Sequence, residues 1–237
     1  MKSLFLLLAA VMATPLAHAD EVIVNGGFES GDLSGWGASE KGGAAIFVES
    51  GTLSPATAHD TVGAAAGSFY ALADGPLGAT ALIQKFTIAP LAEAMLKFDM
   101  FVNSGTFGRV HASGLDQETG GSFAPNQHVR VDILNGAADA FDTGAGVLAS
   151  FYVGQFSPVN LTNSYTHNEI DVTDMLANGG TYQLRFGQVN NQAYLLQGID
   201  NVSLSVTPVP EADTYALMLT GLGLIGFAAR RRQARQK

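Results

Sequence analysis

The chain has 237 residues, 28 of them glycine and none cysteine. Positions 20–207 carry 19 acidic and 6 basic residues, a formal charge of −13, while the last eight positions hold five basic residues and no acid. Such a body repels nucleic acid and anionic lipid, and it folds without disulfides, so packing alone, or packing with a metal ion, has to hold it together.

The chain opens with MKSLFLLLAAVMATPLAHAD. One lysine, an apolar stretch and Ala17-His18-Ala19 are the charged region, hydrophobic region and A-x-A site of a secretory signal. The expected division is therefore a signal peptide at 1–19, an exported domain at 20–206, and a linker with a tail at 207–237. The exported part is long enough for one sizeable core.

Within it, NGGFESGDLSGW spans Asn25 to Trp36, with Phe28 and Trp36 as core candidates. Strands are predicted at 44–49, 67–73, 81–89, 96–102, 128–134, 147–153, 166–172, 181–187 and 198–206. The evidence is alternation with period two. Val129, Val131 and Ile133 alternate with His128, Arg130 and Asp132, and Tyr182, Leu184 and Phe186 alternate with Thr181, Gln183 and Arg185. A short capped turn is expected at 173–178, ended by Gly179-Gly180. Many short strands with turn-rich connections predict an all-β fold, an antiparallel β-sandwich of jelly-roll type, with a helical signal before it and one hydrophobic helix after it. In the last strand Asp200 shares parity with Val202, Leu204 and Val206, which puts an acid at the head of a core-facing row. Such a group needs a partner or a metal.

The tail runs uncharged from Tyr215 to Ala229 and then reaches Arg230, Arg231 and Arg232. Fifteen helical residues cover roughly 22 Å, short of the ~30 Å hydrocarbon layer, so the expectation is a marginal transmembrane segment with its arginines retained on the cytoplasmic side. Gly221, Gly223 and Gly226 form a G-x-G-x-x-G, but the chain has no acidic partner beyond them and no strand before them, so it is no dinucleotide site. Gly144-Ala-Gly146 reads as turn glycines.

Catalytic motifs are lacking: there is no G-x-S-x-G, H-E-x-x-H or P-loop. His59, His111, His128 and His167 are widely spaced and read as solvated residues, and the carboxylates show no glycosidase-like spacing. The stretch at 115–121 reads as a solvated acidic turn. The reading is non-enzymatic. For sugar stacking the rings are Trp36, Tyr70, Tyr152, Tyr165, Tyr182 and Tyr194. Trp36 is assigned to the core. Tyr194 lies in VNNQAYLLQG with Asn190, Asn191 and Gln192 beside it, and these four are the candidate ligand contacts.

Two resemblances go further. Val209-Pro210-Glu211, an apolar Gly-containing helix and a terminal arginine cluster resemble a PEP-CTERM sorting signal, with Ala212 where the usual motif has its second proline. The resemblance implies a Gram-negative, exopolysaccharide-making source, export machinery and an exosortase as partners, and an inner-membrane intermediate before delivery to the cell surface or matrix. NGGFESGDLSGW together with GIDNVSL (198–204) resembles carbohydrate-binding-module-like, galactose-binding-like jelly rolls. That implies neighbouring first and last strands and one structural Ca²⁺, with Glu29 and Asp200 as its acidic ligands. The expected function is an exported, exosortase-sorted envelope or matrix protein associated with exopolysaccharide and able to bind carbohydrate. The alternatives are a purely structural matrix protein and an envelope glycan hydrolase.

Overall fold

The structure, a computed structural model, describes residues 19–106, 114–116, 125–154, 160–209 and 212–234, with side chains of the last helix from 219 to 232. The signal region at 1–18, His111, most of the acidic turn, Pro210 and Glu211 lie outside the described residues.

Among the described residues, eleven strands and two helices follow in order. They are β1 (Asp20–Glu21), β2 (Gly37–Gly42), β3 (Ala45–Glu49), β4 (Tyr70–Asp74), β5 (Gly78–Ile88), β6 (Leu91–Ser104), β7 (Gln127–Asn135), β8 (Val147–Gly154), β9 (Thr166–Asp171), α1 (Thr173–Leu176), β10 (Gly180–Asn190), β11 (Leu195–Pro208) and α2 (Ala212–Ala234). All nine predicted strands and the short helical turn are present. β1 and β2 were not foreseen.

The strands form two antiparallel sheets. One has the order β3-β4-β11-β6-β9, with β1 also on β11, and the other has the order β2-β5-β10-β7-β8. Between them lies one core, to which Phe28, Trp36, Leu82, Phe98, Val131, Phe186 and Leu204 belong. Trp36 is buried as expected, and its indole N–H donates to the Asn25 carbonyl at 3.1 Å. The layers are sealed by ring contacts such as Phe98 edge-on to Phe186, 5.3 Å between centroids.

The outer faces are covered as well. Tyr70, Leu72, Phe101 and Leu196 form an apolar cluster on the outside of the first sheet. The segment before β4 closes over it. Tyr70 shares a 2.7 Å hydrogen bond with Thr61, and Asp74 accepts the amides of Ala56 and Thr57 at 2.8 and 3.1 Å.

This covering corrects the reading of Asp200. The ladder between β11 and β6 slips between Asp200 and Ser203, where Asn201 takes φ +51°. An extra residue at a bulge inverts the facing of every later residue in the strand. Ile199 therefore faces the core before the bulge and Val202 faces it after, and Asp200 shares the outer face with Leu196 and Gly198. Asp200 is fully buried, but under the covering loop and not between the sheets.

The bulge also seats the N-terminal motif. The Val202 amide donates to the Gly26 carbonyl at 2.9 Å. A Cβ at Gly26 would lie 1.8 Å from the Val202 oxygen, so only glycine fits.

Candidate functional site

Three places bear on function: the acids under the loop, the turn at 190–194, and the tail.

Glu29 and Asp200 come together on one loop. Glu29 Oε1 accepts the amides of Ser68 and Phe69, both at 2.9 Å. Asp200 Oδ2 accepts those of Ala65 and Ala66 at 2.8 and 3.1 Å, and its Oδ1 accepts the Asn201 amide at 2.7 Å. Gly27 sits between the acids: a Cβ there would lie 3.8 Å from Asp200 Oδ1 and 3.8 Å from Glu29 Cγ. Burial raises the Asp200 pKa above its ordinary value, and nearby Asp99 adds to the rise, while the loop amides counter it. Among the described residues no group of three or more His, Cys, Asp or Glu side chains could hold a metal. A hard cation fits here only if backbone carbonyls supply most of its oxygens, as calcium permits.

Beside them Asp99 joins two partners. Its Oδ1 pairs with His167 Nδ1 at 2.8 Å and its Oδ2 accepts the Asn201 side-chain amide at 2.7 Å. His167 is 61% exposed, in keeping with the solvated reading.

The candidate ligand turn is spread between roles. Asn190 is fully buried, and its amide donates to the Gly75 and Pro76 carbonyls. Asn191 Oδ1 accepts the Asn126 amide at 2.7 Å. Gln192 is exposed. The Tyr194 ring stacks on His59 with centroids 3.5 Å apart, and Gly105 backs it so closely that a Cβ there would stand 2.8 Å from the ring. Two other candidate tyrosines are engaged through their hydroxyls: Tyr165 and Tyr182 donate to the Gly63 and Gly179 carbonyls at 2.9 and 2.8 Å. Among the described residues before α2, no Phe, Trp or Tyr is exposed.

The expectation that His128 is solvated is corrected. It is fully buried on the outside of the second sheet, and burial lowers its pKa from 6.5 to about 4. Its Nδ1 lies 3.0 Å from Asn126 Oδ1, and the Asn126 amide nitrogen already donates to the Gly114 and Asp116 carbonyls. Nδ1 therefore carries the proton, and Nε2 is left without a hydrogen-bond partner. On the same face Asp132 accepts from Arg130, Arg185 and Ser150. Arg185 also donates to the Ala140 and Asp142 carbonyls, which ties down the loop from 136 to 146. This cluster was not foreseen. Arg130, Asp132 and Arg185 were placed opposite the core by alternation, but no sequence signal showed that a loop covers them.

Beyond β11 the described side chains of α2, from 219 to 232, are nearly all exposed. Leu219, Leu224, Ile225 and Phe227 are each more than half exposed. Nothing lies within 4 Å of a Cβ built at Gly221, Gly223 or Gly226. Arg231 lies over the Phe227 ring, 5.4 Å from its centroid. Among the described residues no helix is long and apolar enough to cross a membrane. The expectation of a transmembrane segment is corrected to that extent. The helix itself is ~34 Å long, but its uncharged run covers only roughly 22 Å.

Comparison with known proteins gives one match by family model: residues 208–232 correspond to the PEP-CTERM protein-sorting motif. No curated protein matches the chain. Similar solved structures include the carbohydrate-binding module TmCBM61 in complex with β-1,4-galactotriose, at 14% identity and TM-score 0.47, covering 78% of this chain and 97% of that one. A family 11 carbohydrate-binding module from Clostridium thermocellum has 13% identity and TM-score 0.41, covering 83% and 99%. The Stig cyclase Fisc from Fischerella sp. TAU has 17% identity and TM-score 0.48, covering 81% and 100%. The exposed C-terminal helix thus belongs to a PEP-CTERM protein-sorting motif, which implies exosortase-dependent export.

Proposed function

We propose that this protein is a non-enzymatic cargo of an exosortase pathway, held at the inner membrane by its tail, cut there, and delivered to the cell surface or the exopolysaccharide matrix. The observation that carries the reading is α2: an apolar helix with an arginine end whose described side chains, from 219 to 232, are nearly all exposed. Exposed apolar surface of this kind calls for a lipid or protein partner. The test is the mass of the mature protein with and without the exosortase. Loss of the tail only when the enzyme is present supports the reading, and an intact C-terminus in both cells overturns it.

For the body we propose weak polysaccharide contact along the rim formed by Gln192, His59 and Tyr194. Gln192 is exposed, and the stacked ring pair beside it presents a stiff polar edge. Such a rim works by hydrogen bonding and not by a broad stacking platform. Loss of polysaccharide pull-down in Gln192→Ala and His59→Ala supports this, and retention by neither wild type nor variants leaves a purely structural matrix protein. Calcium enters the proposal as a structural ion, held by Glu29 and Asp200 with backbone carbonyls. Its role would be to fasten the loop at 63–69 against both ends of the chain.

A further inference from the structure

The two ends of the folded body meet at one place. β1 lies on β11 with Asp20 opposite Val206 and Glu21 opposite Ser205. The Val22 amide continues the contact to the Leu204 carbonyl at 3.0 Å. Cross-strand neighbours stand about 5 Å apart. The residue expected to come first after signal cleavage and the strand that enters the sorting motif at 208 therefore leave the sandwich side by side.

The surface around this exit is acidic. Two adjoining grooves, of about 300 and 480 Å³, share Glu93, Asp171 and Thr173. Ser205 and Thr207 line one, Asp174 lines the other, and no basic side chain lines either. Asp20, Glu21, Glu93, Asp171 and Asp174 are all exposed.

The other end of β11 begins at Leu195, next to the Tyr194–His59 pair and Gln192. A strand of 14 residues at ~3.3 Å per residue puts the two ends roughly 43 Å apart.

We infer that the protein is presented at the membrane in one orientation, with the Glu93–Asp171 end toward the bilayer and the Gln192–His59 rim pointing away from it. The inference rests on the sorting reading above. Both membrane-seeking segments leave from the same end, so both can sit in one bilayer while the sandwich stays folded. The carboxylates at that end share the sign of anionic headgroups, so the sandwich stands off the surface at the length of its linker and does not rest on it. The linker after Thr207 is then left open to a processing enzyme, and the rim faces the polymer.

The absence of cysteine makes a direct test practical. Asp174→Cys and Gln192→Cys place single thiols at exposed positions near the two ends, and Glu93→Cys is a second near-end position. Each full-length variant is labelled with a fluorophore and bound to vesicles containing nitroxide-headgroup lipid. Quenching several-fold stronger at 174 and 93 than at 192 is the expected result. Equal quenching at both ends, or stronger quenching at 192, overturns the orientation alone. Quenching at no position overturns the tethering reading and the orientation with it.

Discussion

Arg185 and Asp132 face each other across β10 and β7 with no solvent access to either side chain, and the Arg185 Nε–Asp132 Oδ2 distance is 3.0 Å. Asp132 takes further bonds from Arg130 and Ser150, and Arg185 holds two carbonyls of the covering loop. Removing Arg185 leaves buried Asp132 with Arg130 as its remaining cation and strands two loop carbonyls. Arg185→Met should therefore cost about 2–4 kcal/mol, read as a fall in the denaturation midpoint. Arg185→Lys should recover only a part, because an ammonium cannot reproduce the guanidinium fork that reaches Asp132 and the loop together.

His128 gives stability a pH dependence of known sign. Its folded pKa is lowered to about 4, by burial first and by Arg130 next, from 6.5. Between these values the unfolded chain binds the proton and the folded one does not. Stability is therefore full above the unfolded value and falls as pH drops through the window, with no further loss below about 4. The shift corresponds to roughly 3 kcal/mol. Asp200 has the opposite sign: its raised pKa makes a contribution that is lost as pH rises above 3.8. His128→Gln should flatten the slope between neutral pH and about pH 4, checked by urea melts across that range.

Glu29 and Asp200 anchor the same loop through four of its amides. Asp200→Ala should cost about 1–3 kcal/mol, since it removes a carboxylate that accepts three part-buried amide bonds. Glu29→Gln keeps an oxygen for Ser68 and Phe69 but removes a charge. If calcium is held there, chelation lowers the melting temperature of the wild type, and this response disappears in Glu29→Gln. A melting temperature indifferent to both calcium and chelator would show that the amides alone fasten the loop.

Gly26 lies against a backbone oxygen that cannot step aside. Gly26→Ala should push Val202 away, break the 2.9 Å bond between its amide and the Gly26 carbonyl, and disturb the bulge that buries Asp200. A loss of about 1–3 kcal/mol is expected, with weaker protection of the Val202 amide in hydrogen exchange as the specific sign.

The alternation at 128–134 and 181–187 made β7 and β10 legible because both strands keep strict parity along their lengths. β2 was illegible for the converse reason: GASEKG is an edge strand with hardly a buried side chain, and it is defined by its pairing with β5 alone. Asp200 was placed on the wrong face because parity was counted through a bulge. The one local hint was Asn201, a residue type that tolerates positive φ better than most. Arg185 and Asp132 lie 53 positions apart, and their encounter depends on a register that only the assembled sheet defines. The meeting of Glu29 with Asp200 came from family resemblance. Their shared hold on the amides of 65–69 is a tertiary fact that no spacing encodes.

The tail yields the sharpest separation of stability from destination. Along 219–232 of α2 nearly every described side chain is exposed and a Cβ at any of its glycines would meet nothing within 4 Å, so this stretch gives the sandwich hardly any packing. Truncation after Val209 should leave the denaturation midpoint within about 0.5 kcal/mol of wild type, as for surface changes that remove no buried contact. It should also abolish membrane association and any dependence of localisation on the exosortase, tracked by fractionation of cells with and without the enzyme. On the proposed sorting route, replacing Arg230, Arg231 and Arg232 with glutamine should keep the apolar run but remove the charges proposed to retain the tail, so that unprocessed protein is released. A truncated chain that unfolds would mean that α2 is part of the fold. A truncated chain that folds and still reaches the surface would mean that the address lies elsewhere.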